Sequence, residues 1–125
     1  MDEQVRQALG TGKVIDVTTT GSRSGQPRRI EIVFHNFGGR LYISGIPSAE
    51  RTRAWLSNLA ADPNFTFHLK GEVQADLPAT ARVVVDEAER RAVFAEVAKV
   101  WAGQDIDTMT RWSPLVEVTI DDLAA

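Results

Sequence analysis

Residues 13–45 read KVIDVTTTGSRSGQPRRIEIVFHNFGGRLYISG, and the fold turns on this run. Its first segment, 13–20, is rich in Val, Ile and Thr. Such β-branched side chains are stiff in a helix and pack well on a pleated strand. Residues 28–37 alternate, with Ile30, Ile32 and Phe34 on one face and Arg29, Glu31 and His35 on the other, the period of a half-buried strand. Gly38-Gly39 then forms a two-residue hairpin into RLYISG at 40–45, since both turn positions need positive φ. GSRSGQP at 21–27 is a second turn; glycine tolerates positive φ there and proline fixes its own. Three strands joined by two hairpins make an antiparallel sheet.

Outward from this run, residues 2–9 read as a short amphipathic helix, capped by Asp2, with Val5, Ala8 and Leu9 as its apolar stripe. Pro47 and Ser48 open a second helix running to about Ala61. Ser48 is its N-cap, Trp55, Leu56 and Leu59 its buried stripe, and Asp62-Pro63 its stop. NFTFHLKG at 64–71 alternates again, with Phe65, Phe67 and Leu69 inward and Thr66, His68 and Lys70 outward. Residues 72–85 form a long strand, in which Pro78 marks an edge or a bulge. Residues 86–101 form the clearest helix. Asp86 and Glu89 fit a capping box, and Ala92, Val93, Val97, Val100 and Trp101 keep the helical period. A polar loop leads to a last strand at 114–120. The order α-βββ-α-ββ-α-β lacks the repeated βαβ units of a doubly wound fold. It predicts an α+β protein with a mainly antiparallel curled sheet or small barrel and peripheral helices.

The 125 residues suit one domain, 1–125. Hydrophobic residues at 43% and charged residues at 25% are ordinary for a globule. A net charge of −3 argues against nucleic acid as a partner. The absence of cysteine excludes disulfides, thiolate metal sites and a Cys nucleophile. No apolar run approaches the ~20 residues of a membrane span, and the acidic first residues are unlike a signal peptide. A cytoplasmic protein without a transmembrane segment is therefore expected. His35 and His68 lie on separate strands with nothing to complete a metal set.

The turn between the first two strands is chemically distinctive. From Thr18 to Ile30 there are three arginines, Arg23, Arg28 and Arg29, and no acid. Thr20, Ser22 and Ser24 add hydroxyls, and Gly21 and Gly25 let backbone N–H groups turn toward an anion. Arginine forks suit phosphate or carboxylate. Two readings stand side by side: a cradle for a phosphorylated cofactor, or a solvated hairpin whose cations discourage edge pairing.

TTTGSRSGQPRR at 18–29 resembles the T-x-G-[RK]-x-[ST]-G-x-x-R signature of the deazaflavin-dependent nitroreductases, also called coenzyme F420-dependent quinone reductases. RTRAWLSNLAADPNFTF at 51–67 is similar to that family's W-x-x-N-L-x-A-x-P-x-V block, and LYISG lies between the two where the family has a comparable strand. The resemblance covers roughly residues 13–100. It implies a split β-barrel related to flavin mononucleotide (FMN)-binding oxidoreductases. It also implies hydride transfer from reduced coenzyme F420 to a quinone-like or nitroaromatic acceptor. By that resemblance Thr20, Arg23, Ser24, Gly25 and Arg28 hold the cofactor's phosphate and acidic tail. Ser44 and Gly45 lie against its ring, Arg53 and Asn58 reach it, and Trp55 is core. The cofactor supplies the chemistry, so no catalytic side chain is required. Tyr42 is either a proton donor or a packed aromatic, and Trp101 and Trp112 either line the acceptor pocket or pin their loop.

The sequence departs from the family at Ser22, where a cation is usual, and at Ile46-Pro47, where glycines are usual. An FMN enzyme on the same barrel and a non-catalytic module that sequesters an anionic or acidic apolar ligand remain alternatives. The protein is expected as a monomer or homodimer.

Overall fold

A computed structural model describes residues 3–10, 14–45, 47 and 53–121. Six strands close into an antiparallel barrel: β1 (Val14–Thr20), β2 (Pro27–Phe37), β3 (Arg40–Ser44), β4 (Asn64–Lys70), β5 (Gln74–Val83) and β6 (Leu115–Ile120). Around the barrel they run β1-β2-β3-β6-β5-β4, with β4 pairing back to β1. The chain's final strand is thus inserted between β3 and β5. Helix α1 (Glu3–Leu9) precedes β1, α2 (Ala54–Ala61) joins β3 to β4, and α3 (Glu87–Val100) and α4 (Ile106–Trp112) join β5 to β6. The fold is a split β-barrel.

Strand alternation places the core. Ile15, Val17 and Thr19 point inward from β1 and are buried. Their β2 partners in register are Ile32, Ile30 and Arg28. Phe34 and Phe67 meet edge to face at 5.2 Å in the barrel interior. The hairpin between β2 and β3 has φ of 66° at Gly38 and 93° at Gly39, the paired positive values that match strand twist. The Asn36 side chain braces that turn by accepting from the Gly39 amide and donating to the Leu9 carbonyl of α1.

A second apolar layer lies outside the barrel wall. Tyr42 and Leu115 face Val93, Phe94, Val97 and Met109 of α3 and α4. This layer corrects three expectations. Phe94 and not Ala92 carries the α3 stripe, and Val100 is 63% exposed. His35 is buried because α3 covers its face of the sheet. The polar loop before β6 contains α4, capped by Asp105, which accepts from the Thr108 amide. Asp86 caps α3 by accepting from the Glu89 amide, while the Glu89 carboxylate is spent on Arg82. Pro78 pairs with Thr66 on β4, and the β5–β6 ladder starts only at Ala79. The missing N–H therefore falls where the β6 side is open. Helix α2 begins at Ala54 after an Arg53 N-cap that makes no side-chain cap bond. The Ser48 cap and the Asp2 cap lie outside the described residues. Among those residues no helix is long and apolar enough to cross a membrane.

Candidate functional site

The turn from Gly21 to Gln26 is held from within and from behind. Gly21 N donates to Gln26 O at 2.8 Å and Gly25 N donates to Gly21 O at 2.9 Å. Ser24 Oγ accepts from Gln26 N at 3.2 Å. Gly25 has φ of 69°. A Cβ on Gly21 would stand 2.6 Å from Ser24 Oγ, which can rotate away, and 3.2 Å from the Gln26 carbonyl, which is held in the turn. From behind, Asn58 of α2 ties the turn to the barrel. Its Oδ1 accepts from Ser22 N at 2.9 Å, and its Nδ2 donates to Thr19 Oγ1 at 3.0 Å.

Between this hairpin and α2 lies a cleft of about 660 Å3. Among the described residues its walls carry Arg23, Arg28 and Arg29 and no carboxylate. Arg28 shares the inward face with Thr19, its register partner, yet is exposed because the barrel end opens there. Arg29 points to the outer face and donates to Asp16 at 2.9 Å. Among the described residues Arg23 and Arg28 make no ion pair. Two guanidinium groups at one cleft mouth, without a carboxylate partner among the described residues, make a local positive potential in an acidic chain.

A second cleft of about 600 Å3 continues on the other side of Trp55, which lines both. Ser44, Gly45, Arg53 and Trp101 are among its walls. A Cβ on Gly45 would meet Arg53 Cζ at 3.3 Å and Pro114 Cγ at 3.3 Å, so this backbone is closely approached from two sides. The two clefts form one trough, cationic at the hairpin and aromatic at the end of α3.

Of the residues singled out from sequence, Arg23, Ser24, Arg28 and Asn58 line the first cleft and Ser44, Gly45 and Arg53 the second. Gly25 shapes the turn without lining either cleft. The β1 hydroxyl on the wall belongs to Thr19, not Thr20, because β1 alternation sends Thr19 inward. Asn58 spends both ends of its amide on the protein, so its part is to brace the turn. Trp55 is half-buried: it packs against the barrel core and also stands between the two clefts. Tyr42 packs in the second apolar layer away from both clefts. Trp101 lines the second cleft, whereas Trp112 lies under Arg111 at 5.0 Å on the surface.

Two histidine arrangements take shape only once the strands are paired. His35 Nε2 lies 3.1 Å from Ser44 Oγ, with the ring stacked on Phe37 at 5.5 Å and edge-on to Trp101 at 5.1 Å. Burial pushes its pKa below the usual histidine value. On another wall, His68 spans Thr18 Oγ1 at 2.7 Å and Asp76 Oδ1 at 2.6 Å, a brace across β1, β4 and β5. Only periodicity could have found these pairs, and it fixes a face without saying what covers it.

The closed antiparallel barrel with its peripheral helices is a split-barrel architecture. Residues 2–121 match the family described as F420H(2)-dependent quinone reductase, and the chain belongs to it. Three solved structures are similar in fold. A conserved hypothetical protein, Rv2991 of Mycobacterium tuberculosis, is 16% identical with a TM-score of 0.74, covering 96% of this chain and 80% of that one. An F420-H2 dependent reductase (FDR-A) is 21% identical with a TM-score of 0.61, covering 85% and 93%. An FAD-binding protein of Mesorhizobium loti is 12% identical with a TM-score of 0.61, covering 96% and 89%.

Proposed function

We propose that this chain is an F420-dependent oxidoreductase that passes hydride from the reduced deazaflavin to a quinone-like or nitroaromatic acceptor. The observation that carries the reading is a pair of arginines, Arg23 and Arg28, that make no ion pair among the described residues and stand at the head of a trough that runs past Trp55 to Gly45. The residues fit such a cofactor. Arg23 and Arg28 would hold the phosphate and acidic tail, with the Ser22 hydroxyl beside them on the same cleft. Gly45 lets Arg53 and Pro114 pack close at the end of β3, and Trp55 and Trp101 would bound a flat ring in this cleft with apolar surface. When bound, the cofactor supplies a hydride donor, so the protein's work is positioning and exclusion of water. Ser44 faces the ring end and offers a hydroxyl to charge developing on the acceptor.

The test is a side-by-side titration of purified protein with oxidised coenzyme F420 and with FMN. Preferential binding of F420, followed by loss of the reduced cofactor's absorbance with a quinone, supports the reading. Preference for FMN moves the chain to flavin chemistry, as the FAD-binding relative of the same fold allows. Binding without turnover on any quinone or nitroaromatic leaves a sequestering module.

A further inference from the structure

Hydride transfer to a quinone leaves an oxyanion that needs a proton, and Tyr42 is buried away from the trough. We infer that His35 is the positioning residue that turns the Ser44 hydroxyl outward as a proton donor and resupplies it. This rests on the functional reading above.

The argument starts from hydrogen-bond capacity. Ser44 is 1% exposed and His35 5%, so each has few partners to choose from. A neutral imidazole carries one N–H. If Nε2 carries it, that N–H occupies a lone pair of Ser44 and leaves the serine O–H to point into the trough. If Nδ1 carries it, the serine O–H turns inward to Nε2 and the trough meets only a lone pair. Among the described residues the ring's side-chain hydrogen-bond partner is Ser44, at Nε2, and its ring neighbours are the apolar Phe37 and Trp101. No side chain there holds a proton on Nδ1. His35 also lines a separate cavity of about 210 Å3 with Asn36, Phe37, Val100 and Trp101, room enough for water.

The proton balance closes. The acceptor's oxyanion forms an O–H bond as the Ser44 O–H bond breaks. Ser44 Oγ takes the Nε2 proton of His35 as Nδ1 takes one from water in the small cavity; a solvent proton neutralises the hydroxide left behind, and exchange of the ring protons with water restores the Nε2–H tautomer before the next turnover. Two electrons and one proton arrive as hydride and the second proton by this route, so the quinone becomes a hydroquinone.

The ligand-free protein gives the first test. Imidazole 15N NMR should show His35 as the Nε2–H tautomer, and an Nδ1–H ring would overturn the inference. In the loaded protein, His35→Leu should lower kcat by roughly 100-fold, the scale of a lost proton donor. Its affinity for oxidised F420 should change less than twofold. The solvent isotope effect of wild type should change in the variant. His35→Gln, which keeps an N–H beside Ser44, should recover part of the loss, and Ser44→Ala should match His35→Leu. Equal losses of affinity and turnover, or no recovery by Gln, would make His35 a packing residue only. If wild type bound no cofactor, the functional reading would fall, while the tautomer would still decide the orientation of Ser44.

Discussion

Asn58→Ala tests the brace on which the cationic turn depends. Asn58 is 5% exposed and holds two groups in different environments. The Ser22 amide lies on an exposed turn, so water replaces its lost partner at small cost. The Thr19 hydroxyl is 1% exposed and has no such relief. Leaving one buried polar group unsatisfied costs about 1–3 kcal/mol. With the small void added, the variant should lose about 2–3 kcal/mol in urea unfolding, at an unchanged slope. Amide exchange at Ser22 should accelerate, and F420 affinity should fall because Arg23 loses its fixed backbone. Thr19→Val in the same background should reveal a coupling near about 1 kcal/mol, since the two side chains share one bond. A loss below about 0.5 kcal/mol with Ser22 still protected would refute the argument, because another contact would then position the turn.

Further expectations concern neighbouring residues. Arg28→Ala should weaken F420 binding by about 1–3 kcal/mol with little loss of stability, measured by titration and melting; equal affinity would move the anion site. Gly21→Ala should destabilise by about 1–3 kcal/mol, since a Cβ would press on Ser24 Oγ and Gln26 O. Gly25→Ala should cost about 1–2 kcal/mol from its positive φ alone. Arg90 donates to the carbonyls of Val84, Thr110 and Ser113. Arg90→Met should therefore unfold the protein at markedly lower urea, by about 3 kcal/mol. Lys70 and Arg29 hold the Asp16 carboxyl below its ordinary value. The stability it contributes is present at neutral pH and is lost as pH falls through that lowered value, so Asp16→Asn should flatten the acid limb of an unfolding profile.

The barrel could be read from residues 13–45 because a period of two and a Gly-Gly turn are local properties. Both glycines take the positive φ that their position required. The capping of α3 by Asp86 was legible for the same reason. What escaped the sequence depended on distant coverage. His35 alternates with the outward residues of β2, and nothing local says that α3 closes over it. Helix α4 has seven residues and sits in a polar stretch, too short for a periodic signal. Thr18, Thr19 and Thr20 are chemically equal, so only the inward parity of β1 selects Thr19 for the cleft. The two blocks around the turn and α2 mark the right neighbourhood, Arg28 included, but not that Asn58 would spend its amide on the protein.

The placement of β6 between β3 and β5 has a consequence for the nascent chain. During synthesis, the five earlier strands leave the ribosome as an open ribbon with two unpaired borders. That ribbon cannot close until residues 115–120 arrive, because those residues supply both missing ladders at once. Pairing so distant in sequence is slow to form, and exposed borders invite partners from other chains. Chaperone demand during translation should therefore fall abruptly when the last strand emerges.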